Sequence, residues 1–394
     1  MDSWDAWRRG LAAEMDRRGD WPVRSPWVRR AADAVPRHLF APDRLWHWDG
    51  RAYVPVDRDG DPDGWSAEVY GDPDSAAVTQ VTDGLPSSSL SCEAVVADML
   101  DSLLLEPGHR VLELGTGTGR NAALLAWRAG AELVTTVEVD PGLAVRARER
   151  LGEAGDRVRV VVGDGGTGWP AGAPYDRVMA TYAVDRIPWA WVAQTRPGGR
   201  IVTPWGRLGH VALTVAEDGA SATGWVQGLA QFMSARGTTG PGRTFSQVRG
   251  TAPAEAERSM TRNLGPLRND VHLRFALRVA LPDVRITTAE DEDGLNAWLH
   301  TEGGCSPGSW ATSWATLSAV GGGGDGCGGG GGTVVHQGGP RRLADELEEA
   351  WDAWVGVGSP SLYDYGMTVE PDGQYVWCGD AARGPRWPSV QAEG

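Results

Sequence analysis

The chain is poor in cysteine, in basic charge and in long apolar runs, and each shortage removes a class of protein. Its four cysteines, Cys92, Cys305, Cys327 and Cys378, lie far apart with no C-x-x-C pair. Neither a disulfide framework nor a zinc cluster is expected, and no metal site is predicted. No run of about 18 apolar residues is present, which argues against a bilayer-spanning helix. The N-terminus lacks the basic-then-apolar order of a secretory signal, so a cytoplasmic protein with no membrane partner is expected. With 52 acidic against 37 basic side chains the formal charge is −15, which repels a phosphate backbone and leaves no nucleic-acid partner expected. Only four phenylalanines stand beside 20 tryptophans, large rings that suit both cores and peptide grooves.

What is there exceeds one ordinary domain. At 394 residues two folded units are expected. The break is placed at the glycine-rich stretch 237–243, giving domains over residues 1–238 and 239–394. Trp4, Trp7, Leu11 and Met15 share one helical face, so residues 1–40 read as a helical lead-in. Residues 55–75, crowded with Asp, Gly and Pro, predict a long surface loop. From Ser91 onward helices at 92–104, 121–129 and 141–151 alternate with strands at 110–114, 133–139 and 158–162, then at 177–181 and 200–203. This alternation predicts a parallel sheet with right-handed crossovers, a doubly wound Rossmann-like α/β domain with its ligand at the carboxyl ends of the strands. Beyond 238 the alternation stops. An α+β unit is predicted there, with a helix at 291–300, a flexible glycine-rich insertion at 321–332, a helix at 341–355 and a hairpin around Pro371-Asp372-Gly373.

The run Val111-Leu112-Glu113-Leu114-Gly115-Thr116-Gly117-Thr118-Gly119 ends a strand and opens a helix, so its glycines let backbone approach a ligand. Glu138, 19 residues beyond Gly119 at the end of the next strand, is placed to accept from ribose hydroxyls, with Val139 beside it. That spacing also suits a dinucleotide. Two features favour S-adenosylmethionine: the Glu113 carboxylate can face a cationic ligand, and Asp164 within Gly163-Asp164-Gly165 can accept from an adenine amino group. The cofactor set is therefore Glu113, Gly115, Thr116, Gly117, Glu138, Val139, Asp164 and Gly165. Asp164 alone also reads as a plain Asp-Gly turn.

These residues, with Leu85-Pro86, Ser89-Leu90-Ser91, Pro174-Tyr175-Asp176, Ile187-Pro188, the run 196–200 and Pro204-Trp205-Gly206, occur in the order and spacing of a known family. Over roughly residues 30–210 the chain resembles protein L-isoaspartyl O-methyltransferases. The resemblance implies a class I methyltransferase domain that binds S-adenosylmethionine. It also implies a substrate carboxylate held by Ser91, with Ser89 in the place of a threonine. Two departures touch the substrate rim: Ser87-Ser88 replaces a Gly-Gln, and Cys92-Glu93 stands where a small residue and proline are common. Ser91 also reads as the N-cap of the helix that follows.

With residues 35–40, the run 338–342 and residues 366–377 included, the chain is similar to methyltransferases that accompany peptide maturation in actinobacteria. That similarity implies methylation of an aspartate side chain in a cyclised ribosomal precursor peptide, of the lanthipeptide or ATP-grasp type. The ester then collapses to an aspartimide and sometimes hydrolyses to isoaspartate. The C-terminal domain is expected to recognise the peptide, and Arg341 and Arg342 either pair with an acidic precursor or form a solvated face. The alternative is repair of isoaspartyl proteins. His38 and His210 are expected to be structural.

Overall fold

The computed structural model describes residues 3–155, 157–206, 208–236, 243–251, 253–292, 294–301, 312–319 and 332–388. The insertion at 321–332 lies outside these residues except for Gly332, as do Cys305 and Cys327 and most of the stretch 237–243. The chain divides into two compact units, residues 1–236 with 366–374 and residues 237–365 with 375–394.

In the first unit α1 (Ser3–Arg18) and α2 (Trp27–Ala34) precede β1 (Arg44–Trp48), β2 (Tyr53–Asp57), α3 (Pro62–Tyr70), β3 (Ala77–Thr82) and β4 (Leu85–Leu90). The four strands form a small sheet of order β2-β1-β3-β4, which leaves β4 on an edge. The loop expected at 55–75 is thus largely structured. Its Asp and Pro serve as helix-start residues: Asp61 Oδ1 accepts from Gly64 N at 2.9 Å, and Pro62 sits in the first turn of α3.

The alternating segment follows as α4 (Glu93–Ser102), β5 (Val111–Leu114), α5 (Arg120–Ala129), β6 (Val134–Glu138), α6 (Pro141–Glu153), β7 (Arg159–Val162), β8 (Tyr175–Ala180), α7 (Trp189–Ala193) and β9 (Thr195–Trp205). Parallel pairing gives the order β7-β6-β5-β8-β9. All four residues of β5 and all five of β6 are buried, as expected for strands covered on both faces. The strand order reverses between β5 and β8, and the crevice beyond the carboxyl ends of these strands is where such sheets hold ligands. Antiparallel β10 (Gly209–Val215) and β11 (Ala222–Gly228) extend the sheet past β9. The core beneath it includes Trp27, Leu45, Trp65, Met99, Leu100 and Leu125.

The boundary expected at 238/239 needs one correction. Residues Gly366 to Val369 pair antiparallel with Trp225 to Ala222, so a piece of the C-terminal region belongs to the first unit. Thr223 and Thr368 share a hydroxyl hydrogen bond of 2.7 Å there. An apolar strand looks the same in sequence whichever sheet it joins.

The second unit contains α8 (Phe245–Arg249), β12 (Ala256–Met260), α9 (Gly265–Asn269), α10 (Val271–Ala280), β13 (Val284–Asp291), β14 (Gly294–Thr301), β15 (Trp314–Ala319), β16 (Thr333–Gly338) and α11 (Leu343–Gly356). Its sheet is antiparallel with order β12-β16-β15-β14-β13. The helix expected at 291–300 is instead β14, flanked by strands on both sides. Burial of consecutive residues Asn296 and Ala297, then Leu299 to Thr301, hides the two-residue alternation of a strand. β17 (Tyr365–Glu370) and β18 (Gly373–Cys378) flank Pro371-Asp372, where the sequence predicts a hairpin. Arg341 pairs with Glu346 and Asp283, and Arg342 lies 3.3 Å from Glu255, so both arginines have partners within this unit.

Candidate active site

The glycine turn after β5 requires its glycines. Gly115, Gly117 and Gly119 have φ of 96°, 54° and 94°, in the left-handed region that side chains disfavour. A Cβ on Gly115 would stand 2.6 Å from Thr181 Oγ1 and 2.9 Å from Tyr182 Cδ1, so the turn is pressed against the end of β8. At Gly117 a Cβ would clash with nothing. The nearest atoms to a Cβ there would be Ser88 Oγ and Ser89 O, both at 3.8 Å, which places the serine-rich edge strand over the glycine turn.

Glu138 ends β6 almost fully buried, and its two oxygens accept from Gly117 N at 2.8 Å and Asp140 N at 3.0 Å. A carboxylate offers about four lone-pair sites, so acceptor capacity remains. Asp140 in turn caps α6, accepting from Gly142 N and Leu143 N. Val139 between them is 47% exposed and apolar. Asp164 is exposed and accepts from Gly166 N at 2.8 Å, closing the Asp-Gly turn that the sequence allows. Gly165 is buried, and a Cβ on it would meet Tyr182 Oη at 2.4 Å. Burial raises the Tyr182 phenol above its ordinary range, reinforced by the carboxylates of Asp164 and Glu138.

Glu113 differs from expectation. Its side chain has no exposed surface and accepts from Asn121 Nδ2 at 2.7 Å and Thr136 Oγ1 at 2.5 Å. Thr116, also buried, shares a 2.6 Å hydroxyl hydrogen bond with Thr136. Both oxygens are engaged within the protein, and the carboxyl ties β5 to β6 and to the start of α5. Burial pushes it up to about 8 in spite of the two hydrogen bonds.

The serine stretch is held by buried charge. Arg37 donates to Ser91 O at 2.7 Å, to Val69 O at 2.7 Å and to Glu93 Oε2 at 3.0 Å. Glu93 accepts two further bonds of 2.8 Å from Arg120 in a fork geometry. All three side chains are at most 5% exposed, so losing Glu93 would leave two buried guanidinium groups without their counter-charge. Cys92, rather than Ser91, is the N-cap of α4, and it makes no side-chain capping bond. The Ser91 hydroxyl is therefore not used as the cap.

Of the sequence-predicted residues, Ser89 and Glu138 thus approach Gly117, Gly115 and Gly165 approach Tyr182 from two loops, and Val139 and Asp164 follow the ends of β6 and β7, with Glu113 and Thr116 buried. Tyr182, Arg37 and the segment 233–235, which pairs with Ala183, were not signalled. They arrive by tertiary folding, and a lone Tyr or Arg leaves no local pattern. Among the described residues no cluster of three His, Cys, Asp or Glu can hold a metal, and no helix is long and apolar enough to cross a membrane.

Residues 62–226 match the family model described as protein-L-isoaspartate(D-aspartate) O-methyltransferase. A protein-L-isoaspartate O-methyltransferase of Anaeromyxobacter dehalogenans is 48% identical over 137 residues, which are 34% of this chain and 64% of that one. Protein-L-isoaspartate O-methyltransferase 1 of an Anaeromyxobacter species is 39% identical over 205 residues, 50% of this chain and 82% of its own. A solved Plasmodium falciparum β-aspartate methyltransferase in complex with S-adenosyl-L-homocysteine aligns at 14% identity with a TM-score of 0.43, over 58% of this chain and 98% of that one. The chain belongs to the protein-L-isoaspartate(D-aspartate) O-methyltransferase family, S-adenosylmethionine-dependent carboxyl O-methyltransferases.

Proposed function

We propose that the protein methylates a side-chain carboxylate of a peptide, and that the peptide is a cyclised ribosomal precursor. The observation that carries the chemistry is the placement of Ser88 Oγ and Ser89 O at 3.8 Å from where a Gly117 Cβ would stand, which sets an acceptor strand against a cofactor turn. The crevice fits S-adenosylmethionine. Glu138 retains acceptor capacity for ribose hydroxyls, exposed Asp164 for an adenine amino group, and Val139 and Gly165 offer apolar, close-fitting surface to the ring.

The cofactor supplies a methyl group on a positively charged sulfur. An acceptor carboxylate with a pKa of about 4 is already ionised at neutral pH, so transfer needs no general base. What the protein supplies is alignment and the exclusion of water. Ser91, its carbonyl fixed by Arg37, would donate its hydroxyl to one acceptor oxygen, and Ser89 would border the approach.

The family match ends at residue 226, so the second unit is additional to what methyl transfer uses, and it is read as the part that selects the peptide. Once the aspartyl ester forms, the next residue's backbone nitrogen attacks the ester carbonyl. Methanol leaves with the amide proton, a five-membered imide closes, and water can reopen it to isoaspartate. Repair of isoaspartyl proteins is the second reading, favoured by what the relatives are called.

Intact-mass analysis after incubation with S-adenosylmethionine separates the two. A gain of about 14 Da, or a net loss of about 18 Da after imide closure, confined to a cyclised precursor supports maturation. Methylation of a linear isoaspartyl peptide, with the precursor untouched, supports repair instead.

A further inference from the structure

Two guanidinium groups grip the serine stretch, one at each end. Arg37 holds Ser91 O from inside the protein. At the other end Arg236, a residue of the segment that runs beside Ala183, donates to Ser87 O at 2.6 Å. The same guanidinium reaches Gln80 Oε1 at 3.3 Å and Asp140 Oδ2 at 3.1 Å. Asp140 is the residue whose amide bonds to Glu138, so one side chain joins the acceptor strand to the loop that carries the ribose-directed carboxylate.

The site of attachment is the weak part of that strand. β4 lies on the edge of the small sheet and has a neighbour only in β3. The β3–β4 register shifts between Val78 and Gln80 and again between Gln80 and Val81, so the ladder is irregular where Gln80 faces Ser88. A disrupted ladder at a sheet edge leaves a carbonyl available to another donor and lets the strand bend. Ser87 O is bonded by Arg236 next to that irregularity. Asp140 gives the guanidinium a charged anchor that does not move with the strand, because the carboxylate is fixed by its two bonds at the start of α6.

We propose that Arg236 is a positioning residue, which sets the distance of Ser87–Ser91 from the cofactor turn by pinning Ser87 O to Asp140. Its bearing on methyl transfer rests on the function proposed above, whereas its bearing on strand order does not. An ion pair open to water is normally weak and screened by salt. Here it acts beside the irregular part of the β3–β4 ladder, where hydroxyl bonds of Thr82 with Ser87 and Thr79 with Ser88 tie the strand on its β3 side only, and it bonds a carbonyl through a charge-assisted hydrogen bond.

The test uses the full chain, with Arg236→Gln and Arg236→Lys compared with the parent by amide hydrogen exchange, S-adenosylhomocysteine titration and peptide methylation. In Arg236→Gln, exchange across 85–91 should rise about tenfold while 111–139 stays unchanged, since local opening tracks lost local restraint. Cofactor affinity should stay within about twofold, because the bonds of Glu138 do not involve Arg236, while kcat/KM for the peptide falls about tenfold. Arg236→Lys, which keeps the charge without the fork, should recover part of the loss. Unchanged exchange at 85–91 would overturn the proposal, as would a cofactor affinity that falls in step with turnover. If the parent itself methylates no aspartyl or isoaspartyl peptide, the proposed function fails, and the exchange comparison still decides the role of Arg236.

Discussion

Glu113 is a carboxyl without water, with both of its oxygens committed to Asn121 and Thr136. Its pKa is raised from 4.5 to about 8, so between those values the folded protein keeps a proton that the unfolded chain has lost. The stabilisation is therefore complete below about 4.5 and is lost as pH rises through about 8. Glu113→Gln keeps the size and an acceptor but cannot ionise. Its Tm should gain on the parent's as pH rises from about 5 to 8.5 in thermal unfolding. Parallel Tm curves would mean that the parent carboxyl is ionised throughout that range. Ser91→Ala tests the other side of the crevice. Its Tm should change little, because the Arg37 bond is to the carbonyl, while kcat falls about tenfold or more through lost alignment. Equal turnover would remove Ser91 from the site. At this scale the sequence was legible in placement, with Glu138 at the end of β6 and Asp164 just after β7. It was silent on Arg37, Tyr182 and Arg236; Arg37 lies 54 residues from Ser91, and Arg236 lies 149 from Ser87.

The element that organises the crevice is β5 with its glycine turn and α5, and its glycines have different duties. Gly115 has a left-handed φ and no room, since a Cβ would overlap Thr181 and Tyr182. Gly115→Ala should therefore cost stability of about 1–3 kcal/mol as well as cofactor affinity. Gly117 has a left-handed φ and room for a Cβ without a clash, the nearest atoms being Ser88 Oγ and Ser89 O at 3.8 Å. Gly117→Ala should cost only about 1 kcal/mol of stability, from backbone strain, yet occupy the space read as the cofactor's and weaken S-adenosylhomocysteine binding by at least about tenfold. Paired calorimetric titration and thermal unfolding of the two variants would show this contrast. Equal behaviour would place the ligand elsewhere. The parallel strands were readable because short apolar runs, turn glycines and amphipathic helices recur in one order. β14 was not, because burial on both faces gives its apolar residues a helix-like spacing. α3 was hidden for another reason: Asp61 and Pro62, which mark a loop by composition, here start a helix.

At the scale of the whole molecule the two units are not two consecutive stretches of chain. The family match ends at residue 226, which invites a truncation near 238 to ask whether the remainder is dispensable. That truncation would also remove residues 366–369, which complete the sheet beside β11. β11 would then become an unpaired edge, with the hydroxyl of Thr223 deprived of Thr368 and a row of backbone donors and acceptors open to other chains. Deleting 239–394 should accordingly lower the unfolding temperature of the first unit and promote aggregation, and lost methylation in that variant would say nothing about peptide selection. A flexible Gly/Ser linker in place of residues 243–360, with the strand at 365–370 retained, removes most of the second unit and keeps the sheet. Such a variant should bind S-adenosylhomocysteine within about threefold of the parent while losing turnover of a cyclised precursor, if the second unit selects that substrate. Undiminished turnover of the precursor by this variant would assign recognition to the crevice in the first unit and leave the second unit with another task.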